Sequence, residues 1–145
     1  MKNKLKYCIV TLLFTTVIHF AKAQNIEGYW LNEEKEGKVE IYKNPDGKYY
    51  GKLVWLKEPK RNGKPKLDIN NKDEKLRTDP LVGLVILKGF SKDGNIYTGG
   101  TIYDPKNGKT YSCKMTPKDE NTLRIRGFIG ISLIGRTTTW SRTTK

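Results

Sequence analysis

From residue 27 onward, apolar residues recur at every second place in short runs, and a turn signal closes nearly every run. Lys38-Val39-Glu40-Ile41-Tyr42 shows the pattern plainly. Side chains of an extended chain alternate between two faces, so this period of two marks a half-buried strand. Asn44-Pro45-Asp46-Gly47 follows as a tight turn, in which Pro presets φ and Gly accepts a positive one. Tyr49 to Leu56 is rich in aromatic and β-branched residues and should pair back as a hairpin.

The remaining runs give the rest of the expected architecture. A first strand spans Glu27 to Leu31, and others span Leu84 to Phe90, Ile96 to Tyr103, Lys109 to Thr116, Thr122 to Phe128 and Gly135 to Arg142. That makes eight strands, with no convincing amphipathic helix between them. Sequential hairpins favour an all-β, eight-stranded antiparallel up-and-down barrel, because closure removes exposed strand edges. A barrel of this size can hold one small ligand. Lys57 to Asp79 breaks the pattern: it is polar, carries Pro59, Gly63 and Pro65, and reads as one long loop with a short helical turn near Asp73–Leu76. Loops of this length are often functional.

The N-terminus has a different character. Lys2, Lys4 and Lys6 precede an uncharged, largely apolar run from Tyr7 to Phe20, and Ala21-Lys22-Ala23 ends it. This order predicts a signal peptide over residues 1–23, cleaved before Gln24. The apolar run of 14 residues is short of the roughly 20 that span a bilayer. A single domain over residues 24–145 remains, and the protein is expected to be periplasmic or secreted, with no membrane span after cleavage. Cleavage lowers the formal charge from +13 to +9 and removes His19 and Cys8. Cys113 is then alone, so no internal disulfide can form.

Two sets of residues resemble known families. Gly28-Tyr29-Trp30 on the first strand and Arg142 in the last are similar to the lipocalin and calycin pattern, in which an Arg covers a Trp at one end of the barrel. A guanidinium suits that place because it stacks on an aromatic face and donates hydrogen bonds at once. The second set runs through most of the chain: Tyr50-Gly51-Lys52-Leu53-Val54-Trp55, Leu67-Asp68, Leu76-Arg77-Thr78-Asp79-Pro80, Gly99-Gly100-Thr101-Ile102-Tyr103-Asp104-Pro105 and Gly135-Arg136-Thr137-Thr138-Thr139-Trp140. Together these resemble the bacterial exported family called domain of unknown function 2147. The resemblance implies a bacterial, exported protein and implies no reaction. Lys72 follows Asn71 here, where the family usually has Pro.

Catalysis finds little support. Without a histidine in residues 24–145, triads, imidazole bases and His metal sites are excluded. Cys113 lacks a partner base and is expected to be a small buried hydrophobe. Asp68, Asp79 and Asp104 lie in loops or at strand ends, and a carboxylate hydrolase would need two of them to converge. Asp68 to Asp73 faintly resembles a calcium loop, but Lys72 falls at a ligand position and Asp73 replaces the turn Gly. No metal or cofactor is expected.

The favoured expectation is a non-enzymatic binding protein for a small amphipathic or anionic molecule. Trp55 and Tyr111 would supply a flat apolar wall; Arg77, Tyr103, Asp104, Lys109, Arg126 and Arg136 would supply polar contacts. The alternative is an envelope or matrix protein with a filled barrel. It would meet polyanions through Lys57, Lys60, Arg61, Lys64 and Lys66.

Overall fold

The computed structural model describes residues 24–131 and 133–145. The expected signal peptide, residues 1–23, lies outside the described residues. Eight strands close into an antiparallel barrel: β1 (Gly28–Leu31), β2 (Gly37–Lys43), β3 (Tyr49–Leu56), β6 (Val85–Asp93), β7 (Ile96–Asp104), β8 (Lys109–Asp119), β9 (Thr122–Phe128) and β10 (Gly135–Thr143). Each pairs with its neighbour along the chain, and β1 pairs with β10 to complete the ring. The alternating residues turn inward as expected. Val39, Ile41, Leu53, Leu87, Met115, Leu123 and Ile125 are buried in one core.

The stretch between β3 and β6 is an ordered strap. Within it, β4 (Lys60–Arg61) and β5 (Lys64–Pro65) form a two-residue hairpin around Asn62-Gly63. Both turn residues have positive φ, 51° and 76°, as a primed hairpin turn demands. A short 3₁₀ turn at Glu74–Leu76 sits where a helical turn was expected. Backbone bonds fold the strap on itself, from Asp68 N–H to Asp79 O at 2.9 Å and from Leu81 N–H to Lys66 O at 2.9 Å.

One end of the barrel is plugged. Residues 24–27 cross it, and Ile26 and Trp30 are fully buried there. Trp30 Nε1 donates to Ile26 O at 2.8 Å, and the Tyr97 hydroxyl donates to Gln24 O at 3.0 Å. Arg142 covers the plug with its guanidinium 4.3 Å above the Trp30 ring. It donates to Asn25 O at 2.8 Å, to Glu27 O at 3.0 Å, and to Glu120 O. Gly28 has φ +123°, and a Cβ there would stand 3.1 Å from Arg142 Nη1. The Gly of Gly28-Tyr29-Trp30 is therefore needed for its backbone angle and for the approach of the covering arginine.

Candidate functional site

The opposite end is open. Three connections form its rim: residues 32–36 between β1 and β2, the Asp104–Gly108 turn, and residues 129–131 and 133–134 between β9 and β10. A cavity of about 520 Å³ descends between them, with Trp140 and Ile125 among its lining. Apolar side chains dominate the wall, including Leu53, Leu56, Ile86, Ile102 and Phe128. Gly37, Gly127 and Gly135 also line it, so three strands contribute wall with no side chain to fill the space. Within this wall, the Thr138 hydroxyl is buried with no hydrogen-bond partner among the described residues.

The charged residues lining the cavity stand at its rim, and the bases among them are paired. Arg136 meets Glu34 at 3.4 Å, and Lys106 meets Glu36 at 3.1 Å. Both pairs are well exposed and contribute at most about 1 kcal/mol each. Asp104 accepts from Lys106 N–H at 2.9 Å and from Asn107 Nδ2 at 3.0 Å, which shapes the turn. Asn107 Nδ2 also donates to the Tyr111 hydroxyl at 3.0 Å.

The strap is tied to this end. Asp68 is fully buried, and its carboxylate accepts from Tyr103 OH and from Asn71 Nδ2, both at 2.7 Å. Burial, then the bond to Asp68, raises the pKa of the Tyr103 hydroxyl, so it stays a donor. Asn70 Nδ2 donates to Pro105 O at 3.0 Å and Lys106 O at 3.1 Å. A Cβ on Gly108 would collide with Asn70 O, so only glycine lets the strap lie this close. The strap thus grips the turn that forms part of the cavity rim.

Four of the expected site residues line the cavity: Tyr103, Asp104, Tyr111 and Arg136. The other four do not. Trp55 stands 40% exposed, with Lys38 Nζ 5.4 Å from its ring centre. A bulge causes this. Lys38 pairs with Trp55 while Val39 pairs with Leu53, so Val54 is an extra residue and the alternation flips. Leu56 takes the inward place instead. Arg126 follows inward-facing Ile125 and precedes cavity-lining Gly127, which puts it on the outer face, where it donates to Thr137 Oγ1 at 2.9 Å. Arg77 is held inside the strap by Asn71 O at 2.8 Å and Glu74 at 3.2 Å. Lys109 is exposed at the start of β8.

Cys113 is buried, and burial pushes its thiol pKa from 9.0 up to about 12. The folded protein therefore holds this proton more tightly than the unfolded chain. Its stabilising contribution is complete below pH 9 and is lost as the pH rises from about 9 towards 12. Native protein at neutral pH should resist thiol-directed alkylation that goes quickly in denaturant. A fast native reaction, followed by mass, would show that the thiol is accessible.

Sequence reasoning missed the residues 129–134. Phe128-Ile129-Gly130-Ile131-Ser132-Leu133-Ile134-Gly135 carries no charge, and eight uncharged residues in so basic a chain were the available signal. Ile129 and Ile134 line the cavity mouth, and both are 69% exposed.

Comparison with known proteins agrees with this architecture. A family described as "Uncharacterized protein conserved in bacteria (DUF2147)" matches residues 28–142. A solved structure, described as "Protein HP1028 from the human pathogen Helicobacter pylori belongs to the lipocalin family", superposes with a TM-score of 0.74. The two sequences are 26% identical, over 84% of this chain and 85% of that one. No curated protein matches. With its barrel closed over a buried Trp30 at one end and open at the other, the chain is a lipocalin-like protein and belongs to the bacterial DUF2147 family.

Proposed function

We propose that the protein is an exported, non-enzymatic carrier that holds one small amphipathic molecule in the open end of its barrel. The observation that carries this reading is the cavity itself: about 520 Å³, plugged below, open above and walled mostly by apolar side chains. That volume lies within the range usual for small-molecule sites, roughly 300–1,000 Å³. The Thr138 hydroxyl offers one polar contact in the wall, and a ligand oxygen there would relieve an unpaired buried group. The ligand head would reach the rim near Tyr111 and Arg136.

The carboxylates fit a carrier better than an enzyme. Both oxygens of Asp68 are engaged by Tyr103 and Asn71, and both of Asp104 by its own turn. These acids hold the strap and the rim. The test is native mass spectrometry of protein purified from its bacterial host, then of the same sample denatured. A discrete small mass that disappears on denaturation is the expected result. A bare polypeptide, unchanged after incubation with envelope lipid extract, would count against a carrier.

A further inference from the structure

The rim segment between β9 and β10 is the most apolar exposed part of the described chain. Ile129, Ile131, Leu133 and Ile134 are 69%, 60%, 84% and 69% exposed. Isolated exposed aliphatic residues are ordinary, but four within six positions make a projecting apolar tip, and such patches mark interaction sites. The hairpin is held in shape by Ile134 N–H donating to Ile131 O at 3.1 Å and by Gly130 at φ +69°.

The charge below the tip is one-sided. Strands β8, β9 and β10 carry seven Lys or Arg residues and a single acid, Asp119. Lys114, Arg124 and Arg126 face outward, because Cys113, Met115, Leu123 and Ile125 beside them are buried. Lys114 and Arg126 are direct cross-strand partners, a pairing of like charges that is unfavourable in isolation. The Arg126 guanidinium also donates to Leu133 O at 3.2 Å, so the basic band begins at the foot of the tip. Asp119 lies at the far end of β8, beside the plugged end.

We propose that this hairpin and the outer face of β8–β10 form a docking surface for an anionic lipid membrane. Ile131 and Leu133 enter the acyl boundary, while Lys114, Arg124 and Arg126 lie against anionic headgroups. An apolar tip above a basic band is the arrangement by which peripheral proteins sit in such an interface. The formal charge of +9 on residues 24–145 opposes a second copy and favours a negative surface. Because Ile129 and Ile134 belong to both the tip and the cavity lining, docking would bring the open mouth to the lipid. The docking surface does not depend on the carrier reading.

Vesicle flotation of the mature domain, residues 24–145, tests this. The parent should float with phosphatidylcholine vesicles containing about a third phosphatidylglycerol and remain behind with pure phosphatidylcholine. Binding should fall steeply with salt, since exposed charges are screened. Ile131→Ser with Leu133→Ser should weaken it by at least about twentyfold, because the apolar insertion is removed. Lys114→Gln with Arg124→Gln should weaken it by about tenfold. Both pairs are on the surface, and unchanged melting would confirm folded variants. Three results would overturn the proposal: no flotation of the parent, undiminished flotation of the serine variant, or a dimer that the serine variant abolishes. Uptake of a soluble fluorescent fatty acid is measured separately. A protein that floats but takes up no fatty acid retains its docking surface and loses the carrier reading.

Discussion

Gly127→Phe is expected to melt at or above the temperature of the parent while taking up no apolar ligand. Gly127 lies on β9 with its α-carbon facing the cavity. A Cβ there would have Ile102 Cγ2 at 3.4 Å and Tyr111 Cβ at 3.7 Å as nearest neighbours, which is contact without collision. Because Gly127 lines the cavity, the added ring would project into it. It would occupy the volume a ligand needs and cover apolar wall that otherwise faces water, a gain of about 1–2 kcal/mol. Replacing a strand glycine with an aromatic residue adds to this in the same direction. Affinity for a fluorescent fatty acid should drop by at least about a hundredfold. That corresponds to about 2.7 kcal/mol, well within what a blocked pocket can cost. Uptake that survives the ring would place the ligand elsewhere on the molecule. Gly51→Ala and Gly100→Ala are useful contrasts. Their Cβ atoms would meet Leu87 at 2.6 Å and the Phe90 ring at 2.5 Å, in fully buried surroundings, so both should destabilise.

The second large effect is expected at the plugged end. Arg142→Ala removes three bonds to backbone carbonyls and the cover over Trp30. Charge-assisted bonds of this kind contribute about 1.5–3 kcal/mol each when buried, and less here because the guanidinium is partly solvated. Stacking on Trp30 contributes about another 1 kcal/mol. A loss of roughly 3 kcal/mol follows, or a fall of about 10 °C in Tm for a domain of this size. Arg142→Lys should recover less than half, since one ammonium cannot reach three carbonyls and lie flat on the indole. Arg124→Ala on the outer wall is the control, and should change stability by less than about 0.5 kcal/mol. Equal melting of the Arg142 and Arg124 variants would mean that the plug stands without its cover.

How much of this was legible in the sequence differs from element to element. The eight barrel strands follow from alternation and turn chemistry, because both are local. Gly28, Trp30 and Arg142 were legible as a set through their resemblance to the lipocalin pattern, and the closed ring brings the first and last strands together as that pattern implies. Trp55 was not. A single inserted residue, Val54, reverses the facing of everything after it, and no local signal marks the bulge. Arg126 illustrates the complementary difficulty. Its alternation with Leu123 and Ile125 shows that it opposes them, yet only the closed ring tells which face is the interior. The strap lacked a periodic signal because its order comes from polar ties. Asp68 is buried by contacts with residues 3 and 35 positions away. Asn62-Gly63 was the exception, a hairpin signature lying in plain view.

The seam between β1 and β10 joins Tyr29–Leu31 to Ser141–Thr143, so the ring has no complete form until β10 is available. A chain in which β10 has not yet formed displays β1 with one edge unpaired. Non-local closure of this kind makes folding slow, because loop entropy must be surrendered before the last pairing repays it.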